Sequence, residues 1–504
     1  NSIASGGNYN TVVGDEAGTA ITTGDDNVAL GYASLDANTT GSTNTGLGSF
    51  SLSSNTTAGN NVGVGYFALK ANTTGTGNVA MGNNALDTNT TGSLNTAIGA
   101  NALTAVTTGS DTVAVGANAL IALTTGAGNV GVGHDALGTV TTGTSSTAVG
   151  FQALLSNTAS NNTAVGYQSL ITNSTGTLNV AVGASALDAN TTADNNTAVG
   201  GNALSANTTG HSNVAVGSAS LNVNTTANNN TAVGRAALAA NTTGASNVAV
   251  GQSALAANTT ASNNNALGSG AMALNTTGSA CNAFGLNALA ANTTANHNTA
   301  MGSSAAGANT TGANNSAFGS NALLANTTGD ANVAVGYTAL DANTTASGNT
   351  AIGFGTLTAN TTGDRNTALG QSAMGANTVG DRSVGIGFQA LNAQNPSSNT
   401  DMYNTAVGYN AGTLVTTGVE NVLIGGQAGD ALTDADYNVA VGTFSLGTDT
   451  LGSRSTALGY FALGTQNFTT ATDSYNTALG WNAGGGVTTG VQNTFIGGLA
   501  GDAV

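Results

Sequence analysis

The hydrophobic and polar residues of this chain follow one short pattern that recurs along its length. Residues 179–195 read NVAVGASALDANTTADN, and residues 196–212 read NTAVGGNALSANTTGHS. Each copy has an apolar run that favours a β-strand, then an Ala-Leu pair, then a turn-rich Asn-Thr-Thr segment. We number the repeat so that Asn179 is position 1 and the glycine that ends the apolar run, Gly183, is position 5.

The position 5 glycine counts the repeats. It recurs every 17 residues, apart from one step of 16 and two steps of 21, and marks 29 units between Gly14 and Gly497. We therefore expect one continuous repeat domain over residues 1–504. Regular coils are predicted for residues 1–387, and variant coils with two four-residue insertions for residues 388–504.

The length of the repeat predicts the fold class. Seventeen residues cannot hold the helix pairs of longer repeat proteins, and the strand, corner, short strand and turn of each unit fit one coil of a solenoid. We predict an all-β protein, a β-solenoid or β-roll of about 29 coils that forms an elongated rod. Coils stacked about 4.8 Å apart would give a rod of roughly 140 Å.

Two columns of the repeat vary together. Position 3 is Ala or Gly in 26 of the 29 units, and the exceptions are Val12, Leu423 and Phe495. In those three units position 9, which is usually Leu, is Gly. Because interiors are close-packed and overfilling is destabilising, positions 3 and 9 are predicted to share one volume inside a thin coil.

Position 4 is apolar in every unit, and we expect it to be buried. Adjacent strand residues point to opposite faces, so position 4 lies on the face away from position 3. A long apolar stripe on a single chain would be an aggregation hazard, which makes another copy of the chain its natural cover. We therefore predict self-association into a homotrimer.

Asparagine recurs at position 1 and at position 12, in the Asn-Thr-Thr turn. Stacked Asn side chains can hydrogen-bond along the solenoid as in cross-β ladders, and we predict such ladders here. Cys281 replaces one position 1 Asn and is expected to be a buried structural thiol. The turn also matches the Asn-x-Thr glycosylation pattern in sixteen units, and the alternative is that this sequence simply makes a good corner.

The charge pattern excludes several partners. Charged residues make up 5% of the chain, the net charge is −17, and only five residues are Lys or Arg. Nucleic acids and anionic membranes attract basic surfaces, so neither is an expected partner. Membrane insertion is not predicted either, because no apolar run approaches the 18 or so residues of a spanning helix.

The residues that most often carry catalysis are scattered. His134, His211 and His297 lie at different repeat positions in different units, and the acids form two discontinuous columns. Catalytic and metal sites need convergent ligands. We therefore predict no enzyme activity, no catalytic or metal site and no cofactor.

The two insertions are the candidate contact loops. They surround Pro396, the only proline, and Phe468, and the only tryptophan, Trp481, follows the second. Inserted loops and lone aromatic residues on a repetitive solenoid suit specific contacts. The candidate contact residues are Asn395, Pro396, Phe468 and Trp481.

Several phrases of the sequence resemble known fibrous proteins. NTAVGYQSL, NVAVGYTAL and NTAIGANAL resemble the head repeats of trimeric autotransporter adhesins. The longer phrases, such as YNTAVGYNAG and NTFIGGLAGDA, resemble the repetitive shafts of viral and phage tail-fibre proteins. This resemblance covers essentially all 29 units and implies a trimeric, extracellular or virion-borne fibre whose tips bind a host surface.

Together these features predict a non-enzymatic fibrous structural protein, the shaft of a surface or virion fibre or adhesin. The expected location is extracellular, on a cell surface or on a virion. In the alternative interpretation, the chain is a rod that binds cell-surface glycan or a host receptor through its turn columns or its inserted loops.

Overall fold

The computed structural model of the chain describes residues 6–503, which form 33 β-strands and no helix. They fall into two compact units, residues 6–247 and residues 248–503. Each unit is a parallel β-solenoid in which the strand at positions 2–4 pairs with its equivalent in the next repeat. The predicted fold class, an all-β solenoid with about 29 coils and a 17-residue repeat, is confirmed.

The strands are short and evenly spaced. Those of the first unit are β1 Thr11–Val13, β2 Val28–Leu30, β3 Thr45–Leu47, β4 Val62–Val64, β5 Val79–Met81, β6 Thr96–Ile98, β7 Val113–Val115, β8 Val130–Val132, β9 Thr147–Val149, β10 Thr163–Val165, β11 Val180–Val182, β12 Thr197–Val199, β13 Val214–Val216 and β14 Thr231–Val233. Those of the second unit are β15 Val248–Val250, β16 Asn265–Leu267, β17 Asn282–Phe284, β18 Thr299–Met301, β19 Ser316–Phe318, β20 Val333–Val335, β21 Thr350–Ile352, β22 Thr367–Leu369, β23 Gly380–Asp381, β24 Val384–Ile386, β25 Thr400–Asp401, β26 Thr405–Val407, β27 Val422–Ile424, β28 Val439–Val441, β29 Gly452–Ser453, β30 Thr456–Leu458, β31 Thr472–Asp473, β32 Thr477–Leu479 and β33 Thr494–Ile496.

Pairing keeps every repeat position in its own column. Between β11 and β12, Ala181 pairs with Ala198 and Val182 pairs with Val199, in parallel register. The backbone also pairs away from the strand, because the Leu187 N–H donates to the Ala203 carbonyl at 3.0 Å. Each coil is therefore joined to the next on more than one side.

The interior of each coil is thin and holds small groups opposite one large group. Ala181 and Ala186, at positions 3 and 8, and Leu187, at position 9, are fully buried. Where position 3 is large, it enters the space of position 9: a Cβ on Gly501 would lie 2.3 Å from Cε1 of Phe495. The predicted sharing of one volume by positions 3 and 9 is confirmed.

Position 4 faces outward, as its alternation with position 3 requires. Val182 and its equivalents are half-buried or exposed, and Leu30 is 45% exposed. The expectation that this column is buried is therefore wrong for the chain by itself. The physical reason is that only positions 1, 3, 8, 9, 12 and 15 fit inside so thin a coil.

Two columns of buried asparagine close each coil and link it to the next. At position 12, Nδ2 of Asn72 donates to Oδ1 of Asn55 in the preceding coil at 2.9 Å and to the Gly75 carbonyl at 3.0 Å. At position 1, Nδ2 of Asn61 donates to the same Gly75 carbonyl at 3.0 Å. The predicted Asn ladders are confirmed, and each one satisfies buried amides that would otherwise be costly.

The position 5 glycine is required by geometry. Gly183 has a φ of +135°, and a Cβ there would lie 2.6 Å from the carbonyl carbon and oxygen of Gly200 in the next coil. Side chains other than hydrogen are excluded by both the backbone angle and the neighbouring backbone. Leu187 and its equivalents also have positive φ, near +50°, a strained conformation for leucine that the packed interior maintains.

Candidate functional site

The outward side chains of positions 2 and 4 form a continuous uncharged surface in each unit, apolar throughout at position 4, which we call the outer stripe. No repeat has a charged residue at either position. Position 2 is mostly Val or Thr and is mostly half-buried. At position 4, the exposed large side chains include Leu30, Met81, Ile98, Leu267, Met301, Ile352, Leu369, Ile424, Leu458 and Leu479.

The outer stripe has the chemistry of an interface. Single exposed apolar residues are normal on soluble proteins, but contiguous apolar patches mark surfaces that contact a partner or a ligand. Because the outer stripe recurs in each coil at the same two positions, a partner with the same repeat could match it coil by coil.

The loop that contains the first insertion, residues 395–403, is held by a charged cluster. The Arg382 guanidinium pairs with Asp401 and donates a 2.9 Å hydrogen bond from Nη1 to the Tyr403 hydroxyl. Strand β25 within this insertion pairs in parallel with β23. The insertion is therefore an ordered part of the coil stack, fastened by an ion pair at its outer edge.

The loop that contains the second insertion, residues 467–475, repeats this arrangement. Nε of Arg454 donates to Oδ1 of Asp473 at 2.9 Å, and the guanidinium lies 4.7 Å from the ring centroid of Tyr437 and 5.8 Å from that of Tyr475. Strand β31 pairs with β29 as β25 pairs with β23. The two loops thus share the same strand pairing and the same Arg–Asp ion pair.

The four predicted contact residues divide into two buried and two exposed side chains. Pro396 is buried near Gly380, where an added Cβ would lie 3.0 Å from Cδ of the proline. Phe468 is also buried and donates its backbone N–H to Oδ1 of Asp449 at 2.9 Å. Both side chains fill the base of their loops and do not offer a surface to a ligand.

Asn395 and Trp481 remain accessible. Asn395 is exposed, although its Oδ1 accepts a 2.6 Å hydrogen bond from Oγ1 of Thr378. Trp481 is 56% exposed and stacks on Tyr460, with ring centroids 6.4 Å apart and planes within 9°. The structure does not bring these two residues together with the buried pair into one site.

Many of the scattered acids have a structural role. Asp194, at position 16, accepts a 2.6 Å hydrogen bond from the backbone N–H of Thr177 in the preceding coil. Asp330 accepts the same bond from Ala313. Ser and Asn serve elsewhere in this column, so its discontinuous acids are interchangeable hydrogen-bond acceptors. This role was not predicted from the sequence, although the recurring Asp, Ser and Asn at position 16 were its signal.

Burial changes the acidity of a second group of acids. Partial burial raises the pKa of Asp36, Asp87, Asp188 and Asp430, all at position 10. Burial also raises the pKa of Asp449, which occupies an Asn column, although hydrogen bonds from Phe468 and Gln466 oppose that shift. None of these carboxyl groups belongs to a cluster of three or more metal-binding side chains among residues 6–503.

The remaining reactive groups are isolated. Nδ1 of His134 lies 3.0 Å from Oδ2 of Asp135, and the other two histidines are in other coils. Cys281 is fully buried, as predicted, and its thiol donates to the Ala295 carbonyl at 3.3 Å. Burial raises the pKa of the Cys281 thiol, which disfavours the reactive thiolate.

The glycosylation alternative conflicts with burial of its acceptor atoms. Asn190 and Asn360 are fully buried, and Nδ2 of Asn190 donates to Oδ1 of Asn173 at 2.8 Å and to the Ala193 carbonyl at 3.1 Å. A glycan could not be attached to this nitrogen in the folded chain. The Asn-Thr-Thr sequence is explained by the corner and its ladder.

Comparison with known proteins adds no identity. No protein-family model matches the chain, and no curated protein matches it. In the part of the chain that the structure describes, no helix has the length and apolar character to cross a membrane.

Proposed function

We propose that the chain is a non-enzymatic fibrous structural protein, the shaft of an extracellular surface fibre, adhesin or virion fibre. The observation that carries this proposal is the outer stripe, which has no charged residue in any repeat and recurs in both solenoid units. An apolar surface of this regularity suits burial against further copies of the same chain.

Three copies are the preferred number because the strand phrases resemble the heads of trimeric adhesins. In such an assembly the outer stripes of three chains would face one another and exclude water. Burial of apolar surface stabilises association by about 25 cal/mol per Å², before the losses of translational and rotational freedom. The mechanism is mechanical, because each added coil extends the shaft by one step.

The test is the mass of the chain in solution, measured by light scattering without denaturant. We expect the mass of three chains of 48.2 kDa. A variant with four lysines on the outer stripe should shift this mass towards the single chain. The substitutions are Val165→Lys, Val182→Lys, Val199→Lys and Val216→Lys.

A matched control places four lysines on exposed turn residues of the same region. Its substitutions are Thr175→Lys, Thr192→Lys, Thr209→Lys and Thr226→Lys, all at exposed position 14. This control should keep the mass of the unmodified protein. A monomeric unmodified chain, or equal dissociation of both variants, would contradict association through the outer stripe.

A further inference from the structure

Exposed aromatic side chains form short stacks at position 6, immediately after the position 5 glycine. In the first unit, the rings of His134, Phe151 and Tyr167 follow one another in three successive coils, with centroids 5.7 and 5.5 Å apart and planes within 18° and 9°. In the second unit, Phe388 and Tyr409 stack at 5.4 Å and within 10°.

Each of these stacks ends on a ring that is followed in its column by a small residue. Ala184 follows Tyr167, and Gly426 follows Tyr409. The two terminal rings are well exposed, Tyr167 at 54% and Tyr409 at 58%. One face of each ring is occupied by the preceding ring, so the other face is directed towards the space above the small residue.

The backbone does not require glycine at the two position 6 sites, Gly426 and Gly498, that follow exposed rings. Gly426 is outside the left-handed region, and a Cβ there would meet only Cγ2 of Thr443, at 3.9 Å. Another stack, Tyr460 and Trp481, is followed by Gly498, where a Cβ would meet only the Trp481 carbonyl oxygen, at 3.7 Å. A side chain would fit at both sites, and its absence leaves the ring face open.

Amide side chains run beside the rings at position 7. Nε2 of Gln168, next to Tyr167, donates to Oε1 of Gln152, next to Phe151, at 3.0 Å. In the second unit the residues that follow stacked rings include Gln389, Asn410 and Asn482. Each of the three exposed terminal rings is thus followed in the sequence by an amide side chain, a group that can both donate and accept hydrogen bonds.

We propose that the open ring faces of Tyr167, Tyr409 and Trp481 bind the sugar rings of a neutral oligosaccharide. A pyranose ring has an apolar C–H face that can cover an aromatic face, and hydroxyl groups around its edge that can bond to amides. Binding sites that combine an apolar surface with a few polar groups have this composition.

The negative charge of the protein disfavours binding of a nucleic acid, the other common ligand of exposed aromatic rings. Nucleobases also stack on such rings, but a polynucleotide brings phosphates that need Lys and Arg. The chain has five such residues and a net charge of −17. A neutral saccharide meets no such repulsion.

Two sets of variants test the site without disturbing the coils. The first removes the rings with Tyr167→Ser, Tyr409→Ser and Trp481→Ser, since serine occupies position 6 in other coils, such as that of Ser218. The second covers the ring faces with Ala184→Leu, Gly426→Leu and Gly498→Leu, since position 6 also accommodates leucine, at Leu286. The control makes the same kind of change away from any ring, with Ser218→Leu, Ser269→Leu and Ser303→Leu.

Isothermal titration of the full chain with cellohexaose, maltohexaose and hexa-N-acetylchitohexaose, all of them neutral, measures binding. We expect at least one hexasaccharide to bind, with affinity reduced at least tenfold in both variant sets and unchanged in the control. Absence of binding to all three, equal binding by every variant, or preferred binding of an oligonucleotide would overturn the proposal. The inference does not depend on the fibre proposal, because the mass of each variant reports assembly separately.

Discussion

Leu423 occupies the space that a side chain on Gly429 would need. A Cβ on this glycine would lie 2.7 Å from Cδ2 of Leu423, and a Cβ on Gly412, in the preceding coil, would lie 2.6 Å from Cδ1 of the same leucine. The most common unit reverses the arrangement, with Ala181 at position 3 and Leu187 at position 9. One large group thus serves two neighbouring coils, and either column can supply it.

This relationship predicts a non-additive pair of substitutions. Gly429→Leu should lower the free energy of unfolding by about 1–3 kcal/mol through overpacking, and a further cost of about 1 kcal/mol comes from leucine at positive φ. Leu423→Ala should cost about 2–5 kcal/mol through a cavity. The double variant recreates the common unit in its own coil and should recover the packing loss there, with a residual cost from the space beside Gly412 that Leu423 also fills, as measured by guanidinium denaturation. Strictly additive losses would show that the two columns do not touch.

The interior could be predicted from sequence because its columns vary in a correlated way. The exchange of large groups between positions 3 and 9 is visible at Leu423 without coordinates. The exposure of position 4 was harder to predict from the sequence. Val182 and Ala181 are both apolar, and periodicity alone does not say which face of the strand lies inside the coil. The number of buried columns is set by the path of the backbone through its positive-φ residues, such as Leu187, which no propensity rule anticipates.

The candidate contact residues were predicted less well, because rarity in the sequence does not show whether a side chain is buried. Pro396 and Phe468 stand out in the sequence because they are unusual residues in unusual units. The structure shows that they fill the space beneath their loops, whereas the rings of Tyr167 and Tyr409 are exposed in ordinary coils. A rare residue marks a change in local geometry as readily as it marks a contact.

The position 5 glycine allows a matched comparison between neighbours. Gly183→Ala should destabilise the chain by about 3 kcal/mol or more, because its Cβ would overlap the backbone of Gly200. Gly201→Ala should change stability by less than about 0.5 kcal/mol, because a Cβ there meets no atom within 4 Å. Thermal unfolding followed by circular dichroism measures both, and similar losses in the two variants would contradict close coil contact at position 5.

The Asn ladder should be sensitive to the loss of a single donor. Asn190→Asp removes both hydrogen bonds donated by Nδ2 and places a carboxyl group in a fully buried position, so we expect a loss of about 1–3 kcal/mol or more. Asn195→Asp is the control, since the same change at this exposed residue should have little effect. Guanidinium denaturation at neutral pH compares them, and the Asn190→Asp loss should shrink at low pH, where the protonated carboxyl can donate again.

The two inserted loops differ in whether they donate a backbone N–H to the position 12 residue of the preceding coil. Pro396 has no backbone N–H, and the residue below its loop is the usual Asn377. Phe468 has a backbone N–H, which donates a hydrogen bond to Oδ1 of Asp449. We therefore expect Phe468→Pro to cost less in an Asp449→Ala background, which has no acceptor for this N–H, than in the unmodified chain, and an equal cost in both backgrounds would contradict this pairing.

The same aspartate predicts a pH dependence of stability. Burial raises the pKa of Asp449 in the folded chain above the ordinary value of about 3.9, so the folded state holds this proton more tightly than the unfolded state. Protonation of Asp449 therefore contributes its full share to the free energy of unfolding below about pH 3.9. This contribution is lost as the pH rises through the pKa of the folded chain. Relative to Asp449→Asn, which cannot ionise, the unmodified chain should lose stability between pH 3 and pH 7. Denaturation curves at several pH values measure this difference, and a constant difference, or one that grows in favour of Asp449, would contradict the raised pKa.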